Sequence, residues 1–328
     1  MRRMVCLAAT ACLLAGIGGT AASAETVAEA HAKLRAIGKV WNLDVAKKDL
    51  AIYLPLLAAA PKDGVAVVRD LSYGPDPRNK LDVFHPQAAG SGRPVVVFFY
   101  GGGLVGGDKI YPNTNELAYS NIGTFFARNG MVGINANYRL VPHVTFPGGG
   151  EDVAGVVKWV KAHAAEYGGD PNAIFLMGNS AGGTHVATYL YDRDVQPGGE
   201  PGIAGAILLS GALTLDKTGR RAKVTEDYLG PDKSKWDALE PLGLARSYAG
   251  KAVPTLILTA QYDPQGIEQS DVALLDLLCK KDNACPAFMQ IPHHNHLSTA
   301  LSLNTADDSY APRLLDFIRS TVAAGAGE

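Results

Sequence analysis

Apolar residues over positions 26–60 recur at the helical period: Val27, Leu34, Ile37, Val40 and Leu43, then Leu50, Leu54 and Leu57. This spacing predicts two short helices, broken near Trp41 and Asn42 and ended by Pro61. Short apolar runs at 65–68 and 81–84, separated by Gly-Pro-Asp-Pro-Arg-Asn, read as an antiparallel hairpin at a sheet edge. Residues 95–99, Val-Val-Val-Phe-Phe, form a continuous apolar run of the kind found in strands covered on both faces. A helix is expected over 115–129, a strand over 131–137 and a helix over 151–167. A strand then runs into Ser180 and a further helix follows it. Strands over 203–209, 254–259 and 288–291 and a closing helix over 313–322 complete the pattern. Such alternation predicts one α/β domain over 25–328, with a mostly parallel central sheet and helices on both faces. Residues 212–249, polar and proline-bearing, interrupt the rhythm and read as a small cap or lid.

Composition changes this picture at the N-terminus. Overall, 47% hydrophobic and 19% charged residues are ordinary for a water-soluble chain. Arg2 and Arg3, an apolar run over 5–17, and Ala22-Ser23-Ala24 read as a secretory signal peptide over 1–24, cleaved before Glu25. The run is too short and too interrupted by glycine to span a membrane, so a secreted or periplasmic protein without stable membrane insertion is expected. Loss of the two arginines takes the net charge from −2 to −4, a mildly acidic balance that argues against nucleic acid as a partner. It also leaves only Cys279 and Cys285, whose spacing in an exported chain suggests a disulfide closing a small loop. Free thiols are the alternative. No sequence signal speaks to oligomeric state.

The chemistry centres on Gly178-Asn179-Ser180-Ala181-Gly182-Gly183, where an apolar strand ends and a helix-forming segment begins. A strand–turn–helix with serine at its apex lifts the hydroxyl out of the sheet. The serine needs a base and an orienting acid. Later strands run into Tyr262-Asp263-Pro264 and into Pro292-His293-His294-Asn295-His296, which gives the chain order Ser180, Asp263, His296. His296 is favoured as the base because it lies deepest in its loop, with His294 second; His293 and His294 otherwise read as a surface pair. Asp263 has a competing role as a helix cap. A metal site at the three histidines is not expected, because no carboxylate sits at a ligand-like spacing. Tyr100-Gly101-Gly102-Gly103 ends the 95–99 strand, and the amides of Gly102, Gly103 and Ala181 are candidates for holding a developing oxyanion. Residues 101–106 also match G-x-G-x-x-G, but no acid lies between Glu116 and Glu151 to hold a ribose. No cofactor is expected.

Tyr100-Gly101-Gly102-Gly103, Tyr138-Arg139-Leu140, Gly168-Gly169-Asp170-Pro171 and Gly178-Asn179-Ser180-Ala181-Gly182-Gly183 occur in that order. Together they resemble the α/β-hydrolase carboxylesterases of the hormone-sensitive-lipase type and their feruloyl- and acetylesterase-like relatives, over roughly residues 65–322. The resemblance implies a Ser-His-Asp esterase with a three-amide oxyanion hole, no cofactor, and a small-molecule ester as substrate. Two departures stand out: Tyr100 replaces the usual histidine, and Pro142-His143-Val144 replaces a commoner Ala-Pro-Glu-His pattern. The leading expectation is a carboxylesterase acting on short-chain or aryl esters through an acyl-enzyme. An amide hydrolase using the same triad and a hydrolase-shaped binding protein are the alternatives.

Overall fold

The computed structural model describes residues 26–282 and 285–325, so the expected leader over 1–24 lies outside the described residues. Two helices come first, α1 (Val27–Ile37) and α2 (Leu43–Ala59). Thr26 caps α1 in a capping box with Glu29, and Asn42 caps α2 by accepting from the amides of Asp44 and Val45. The hairpin β1 (Val65–Ser72) and β2 (Lys80–Pro86) pairs antiparallel and places β1 at the sheet edge.

The remaining strands are β3 (Arg93–Phe99), β4 (Val132–Ala136), β5 (Gly169–Ser180), β6 (Gly205–Gly211), β7 (Thr255–Tyr262) and β8 (Ala287–Asn295). They alternate with α3 (Ser120–Arg128), α4 (Gly148–His163), α5 (Ala181–Tyr191), the short α6 (Ala222–Leu229), α7 (Trp236–Leu239) and α8 (Pro241–Ser247), and α9 (Gln265–Asp282). After β8 come α10 (Ser298–Ser302) and α11 (Ala311–Gly325). The sheet order is β1-β2-β4-β3-β5-β6-β7-β8, parallel from β4 to β8.

Each central strand is apolar on both faces because helices cover both. Val95 to Phe99 and Ile174 to Met177 are fully buried. Their pairing, Val97 beside Leu176 and Phe99 beside Gly178, puts the ends of β3 and β5 next to each other. Loops leaving those ends therefore share one edge of the sheet, and the chemistry-bearing residues gather there.

Two helix starts differ from the sequence expectation. The helix expected from position 115 begins at Ser120, because Asn115, Glu116 and Tyr119 all have positive φ. The helix expected from position 151 begins at Gly148. Its glycines are there for closeness: a Cβ on Gly149 would lie 1.8 Å from His185 Nδ1 of α5. Cys279 and Cys285 are joined as a disulfide. Among the described residues, no helix is long and apolar enough to cross a membrane.

Candidate active site

Ser180 is the last residue of β5, with φ 53° and ψ −118°, a conformation that side chains rarely adopt. The turn is enforced by packing. A Cβ on Gly182 would come 2.1 Å from Phe99 O, so the first turn of α5 lies directly on the end of β3. The serine hydroxyl is thereby held off the sheet, at the N-terminus of α5, whose first amides have no intrahelical partner.

His296 follows β8, and its Nε2 lies 2.8 Å from Ser180 Oγ while its Nδ1 lies 2.8 Å from Asp263 Oδ1. Asp263 follows β7 and is fully buried. Its Oδ2 accepts from Ser210 Oγ at 2.7 Å, Thr259 Oγ1 at 3.1 Å and the Ala260 amide at 2.6 Å. The carboxylate is therefore held in place by these bonds and aimed at the imidazole. Its bonds point to the histidine and back along β7, not into the first turn of α9 as a cap would. With Nδ1–H donated to Asp263, Nε2 is free to accept the serine proton.

His293 and His294, expected as a surface pair, part company. β8 runs on through Asn295, which alternates the side chains and leaves His294 0% exposed. His294 Nδ1 lies 3.1 Å from Ser298 Oγ and its other nitrogen 3.3 Å from Asp307 Oδ2, so both are engaged with groups other than Ser180. His293 has φ 66° and its ring lies tilted against that of His31 of α1, 5.0 Å between centroids.

Gly102 and Gly103 border Ser180, and among the described residues neither of their amides is engaged in a hydrogen bond within the protein. Tyr100 is buried beneath this loop, stacked on Tyr138 at 4.7 Å, and its hydroxyl accepts from Arg78 Nη2 at 2.6 Å. It is committed to packing and does not face the serine. After Gly101–Gly106 no helix begins until Ser120, unlike a dinucleotide-binding turn.

Two cavities, about 460 and 470 Å³, meet at Ser180. Both are bordered by Ser180, His296, Gly103, Trp41 and Arg221. One lobe continues past Ala181, Leu215 and Ile267, the other past Gly102, Tyr111 and Leu297. Within 212–249, the stretch from Thr214 to Thr225 faces the first lobe, whereas α8 packs on α5 and α9. A third cavity, about 400 Å³ beside Tyr248 and Cys285, shares no bordering residue with these two, and the hydroxyl–imidazole geometry places the chemistry at Ser180.

Four contributors escape the sequence pattern. Trp41, in the break between α1 and α2, sets its ring 4.9 Å from the His296 ring. Arg221 Nη2 reaches to 3.4 Å from Gly103 O. Ser210 and Thr259 supply the bonds to Asp263 described above. Only the helix break at Trp41 carried a sequence signal, and that signal marked a turn, not a site.

Residues 81–191 match the BD-FAE family. Phenmedipham hydrolase of Pseudarthrobacter oxydans is 38% identical over 114 residues, 33% of this chain and 22% of that protein. Isoprenylcysteine alpha-carbonyl methylesterase of Arabidopsis thaliana is 35% identical over 121 residues, 37% of this chain and 26% of that protein. The chain spans between 22% and 27% of the first such relatives. Among solved structures, esterase B of Lactobacillus rhamnosis superimposes with a TM-score of 0.68 at 19% identity, over 90% of this chain and 94% of that one. An esterase of Pyrobaculum calidifontis gives 0.62 at 22% identity, over 90% and 98%. The fold is that of the α/β-hydrolases, as the sequence resemblance implied.

Proposed function

We propose that this chain is a serine carboxylic-ester hydrolase acting on short-chain or aryl esters through an acyl-enzyme. The observation that carries the reading is the relay of Ser180, His296 and Asp263, two contacts of 2.8 Å each, set where two cavities meet. One lobe takes the acyl group and the other the alcohol. Ser180 Oγ attacks the ester carbonyl as His296 Nε2 takes its proton. Asp263 Oδ1 holds Nδ1–H and stabilises the imidazolium. The amides of Gly102, Gly103 and Ala181, the last at the positive end of α5, stabilise the oxyanion. His296 then protonates the departing alkoxide, and a water activated by the same imidazole releases the acid. The match to BD-FAE and to relatives named as hydrolases and esterases supports this reading.

Export to an oxidising compartment belongs to the same proposal, supported by the leader read at 1–24 and by a disulfide between Cys279 and Cys285.

A fluorophosphonate probe with peptide mass spectrometry should place a single label on Ser180. Ser180→Ala should lower turnover of p-nitrophenyl acetate by at least about 10⁴-fold with an unchanged circular dichroism spectrum. A folded protein that takes no label would overturn the assignment.

A further inference from the structure

Beside the loop that carries His296, three side chains from distant parts of the chain converge. His31 comes from α1, His294 from β8, and Asp307 from the segment between α10 and α11. One ligand-type atom from each lies within 4.8 Å of the others. His31 Nε2 is 2.9 Å and His294 Nε2 3.3 Å from Asp307 Oδ2. Ligands of a tetrahedral Zn²⁺ with bonds of about 2.0–2.1 Å stand roughly 3.3 Å apart, so the two separations to Asp307 fit that coordination, and the two imidazoles, within 4.8 Å, would draw together around the ion.

A second observation points the same way. His294 is 0% exposed, and its Nε2, aimed into the cluster, has no hydrogen-bond partner of adequate geometry. A sealed imidazole nitrogen that meets a carboxylate oxygen at 3.3 Å without good hydrogen-bond geometry is poorly satisfied, and a bound cation would satisfy it better.

The surroundings orient the ligands as the outer contacts of metal sites do. Ser298 Oγ lies 3.1 Å from His294 Nδ1 and fixes that ring. Tyr53 OH donates to Asp307 Oδ2 at 2.8 Å, and Ser309 Oγ donates to Oδ1 at 2.6 Å. The His31 side chain is 15% exposed and leaves a way in from solvent, while Asp307 is 1% exposed. Two imidazoles and one carboxylate with an open position toward water suit a borderline cation such as Zn²⁺ better than Ca²⁺ or Mg²⁺, which prefer oxygen.

We propose that His31, His294 and Asp307 form a binding site for one divalent cation of the zinc class, which ties α1 to the loop that carries His296. The proposal does not rest on the esterase reading and is tested without an activity assay.

Full-length mature protein would be stripped with a chelator and dialysed against micromolar ZnCl₂ with a weak competing chelator. Bound zinc is read by plasma mass spectrometry and the unfolding temperature by calorimetry. Wild type should retain about one zinc per chain and unfold several degrees higher with zinc than without. His31→Gln, at a position partly open to solvent, should fold, lose the bound zinc and lose the zinc-dependent shift. His163→Gln, at an exposed histidine 2.7 Å from Glu166 Oε1, should behave as wild type. Visible absorption after Co²⁺ loading would report nitrogen and oxygen ligation in wild type and be absent in His31→Gln. Wild type that keeps no zinc above the buffer blank, or His31→Gln that keeps as much, would overturn the proposal and leave a hydrogen-bonded clamp only.

Discussion

Asp263 and Asp271 are both fully buried, and they differ in what meets their oxygens. Asp263 accepts from His296, Ser210, Thr259 and the Ala260 amide, whereas neither oxygen of Asp271 has a well-formed partner. Burial first, and the neighbouring Asp263 carboxylate second, push the Asp271 carboxyl well above the usual range. Asp263→Asn should therefore cut kcat by about 10³–10⁴-fold, by removing the charge that holds the imidazole tautomer. Asp271→Asn, at a carboxyl that makes no hydrogen bond with His296 and whose charged form burial disfavours, should keep kcat within a few-fold. Steady-state kinetics on both variants checks the contrast. Asp49 of α2 gives a pH effect. Burial raises its pKa to about 7, against a hydrogen bond from Asn295 and the pull of His296. Tyr53 and Tyr111 also face it. The folded protein then holds this proton up to about pH 7 while the unfolded chain releases it near 3.8, so stability falls as pH rises through that window. Asp49→Asn keeps an oxygen for Asn295 and removes the penalty. Its unfolding temperature should exceed that of wild type at pH 8 and converge with it near pH 4. An equal difference at both pH values would show that proton linkage is not the cause. Neither Asp271 nor Asp49 was legible in the sequence, because burial of a carboxylate depends on what packs over it.

At the scale of elements, the sequence carried the most where a single period dominates. The apolar runs of β3 and β5 and the Gly-Asn-Ser-Ala-Gly turn after β5 are local patterns, and the structure places them as read. His296 was distinguishable from His294 by its depth in the loop, since the end of β8 decides which side chain leaves the sheet. The start of α4 was not legible. Gly148 to Gly150 look like a helix breaker until α5 is seen pressing on them. Nor was the partnership of His294 with Asp307 and His31, which depends on α1 folding back across β8. The joint between α1 and α2 bears on the candidate site, because it carries Trp41 into both lobes beside His296. Trp41→Ala should raise KM for phenyl esters by roughly three- to tenfold, the loss of an aromatic contact worth about 0.5–1.5 kcal/mol. KM for ethyl esters should change less, and kcat should hold within about threefold. Equal rises for phenyl and ethyl esters would mean that the ring shapes the loop instead of contacting substrate.

Across the whole molecule, the two ends of the sheet edge at β8 do different work. At one end, α2 braces the His296 loop: Asn295 Nδ2 donates to Asp49 Oδ1 at 2.9 Å, and Tyr53 reaches Asp307. The N-terminal helices thus belong to the site although they lie far from it in sequence. At the other end, Cys285 enters β8 two residues before Ala287, disulfide-bonded to Cys279 in α9. A nine-residue strand rising about 3.3 Å per residue puts roughly 26 Å between its ends. The disulfide closes a loop with a sequence separation of 6. By loop-closure entropy it stabilises the fold by about 2 kcal/mol. In a domain of this size that corresponds to roughly 4 °C in unfolding temperature. Replacing both cysteines by serine should therefore lower the calorimetric midpoint by a few degrees and leave kcat/KM within about twofold at 25 °C. A matching loss of activity well below the midpoint would show that the packing of α9 on β7 transmits strain from the disulfide to Asp263, which leaves the opposite end of β7.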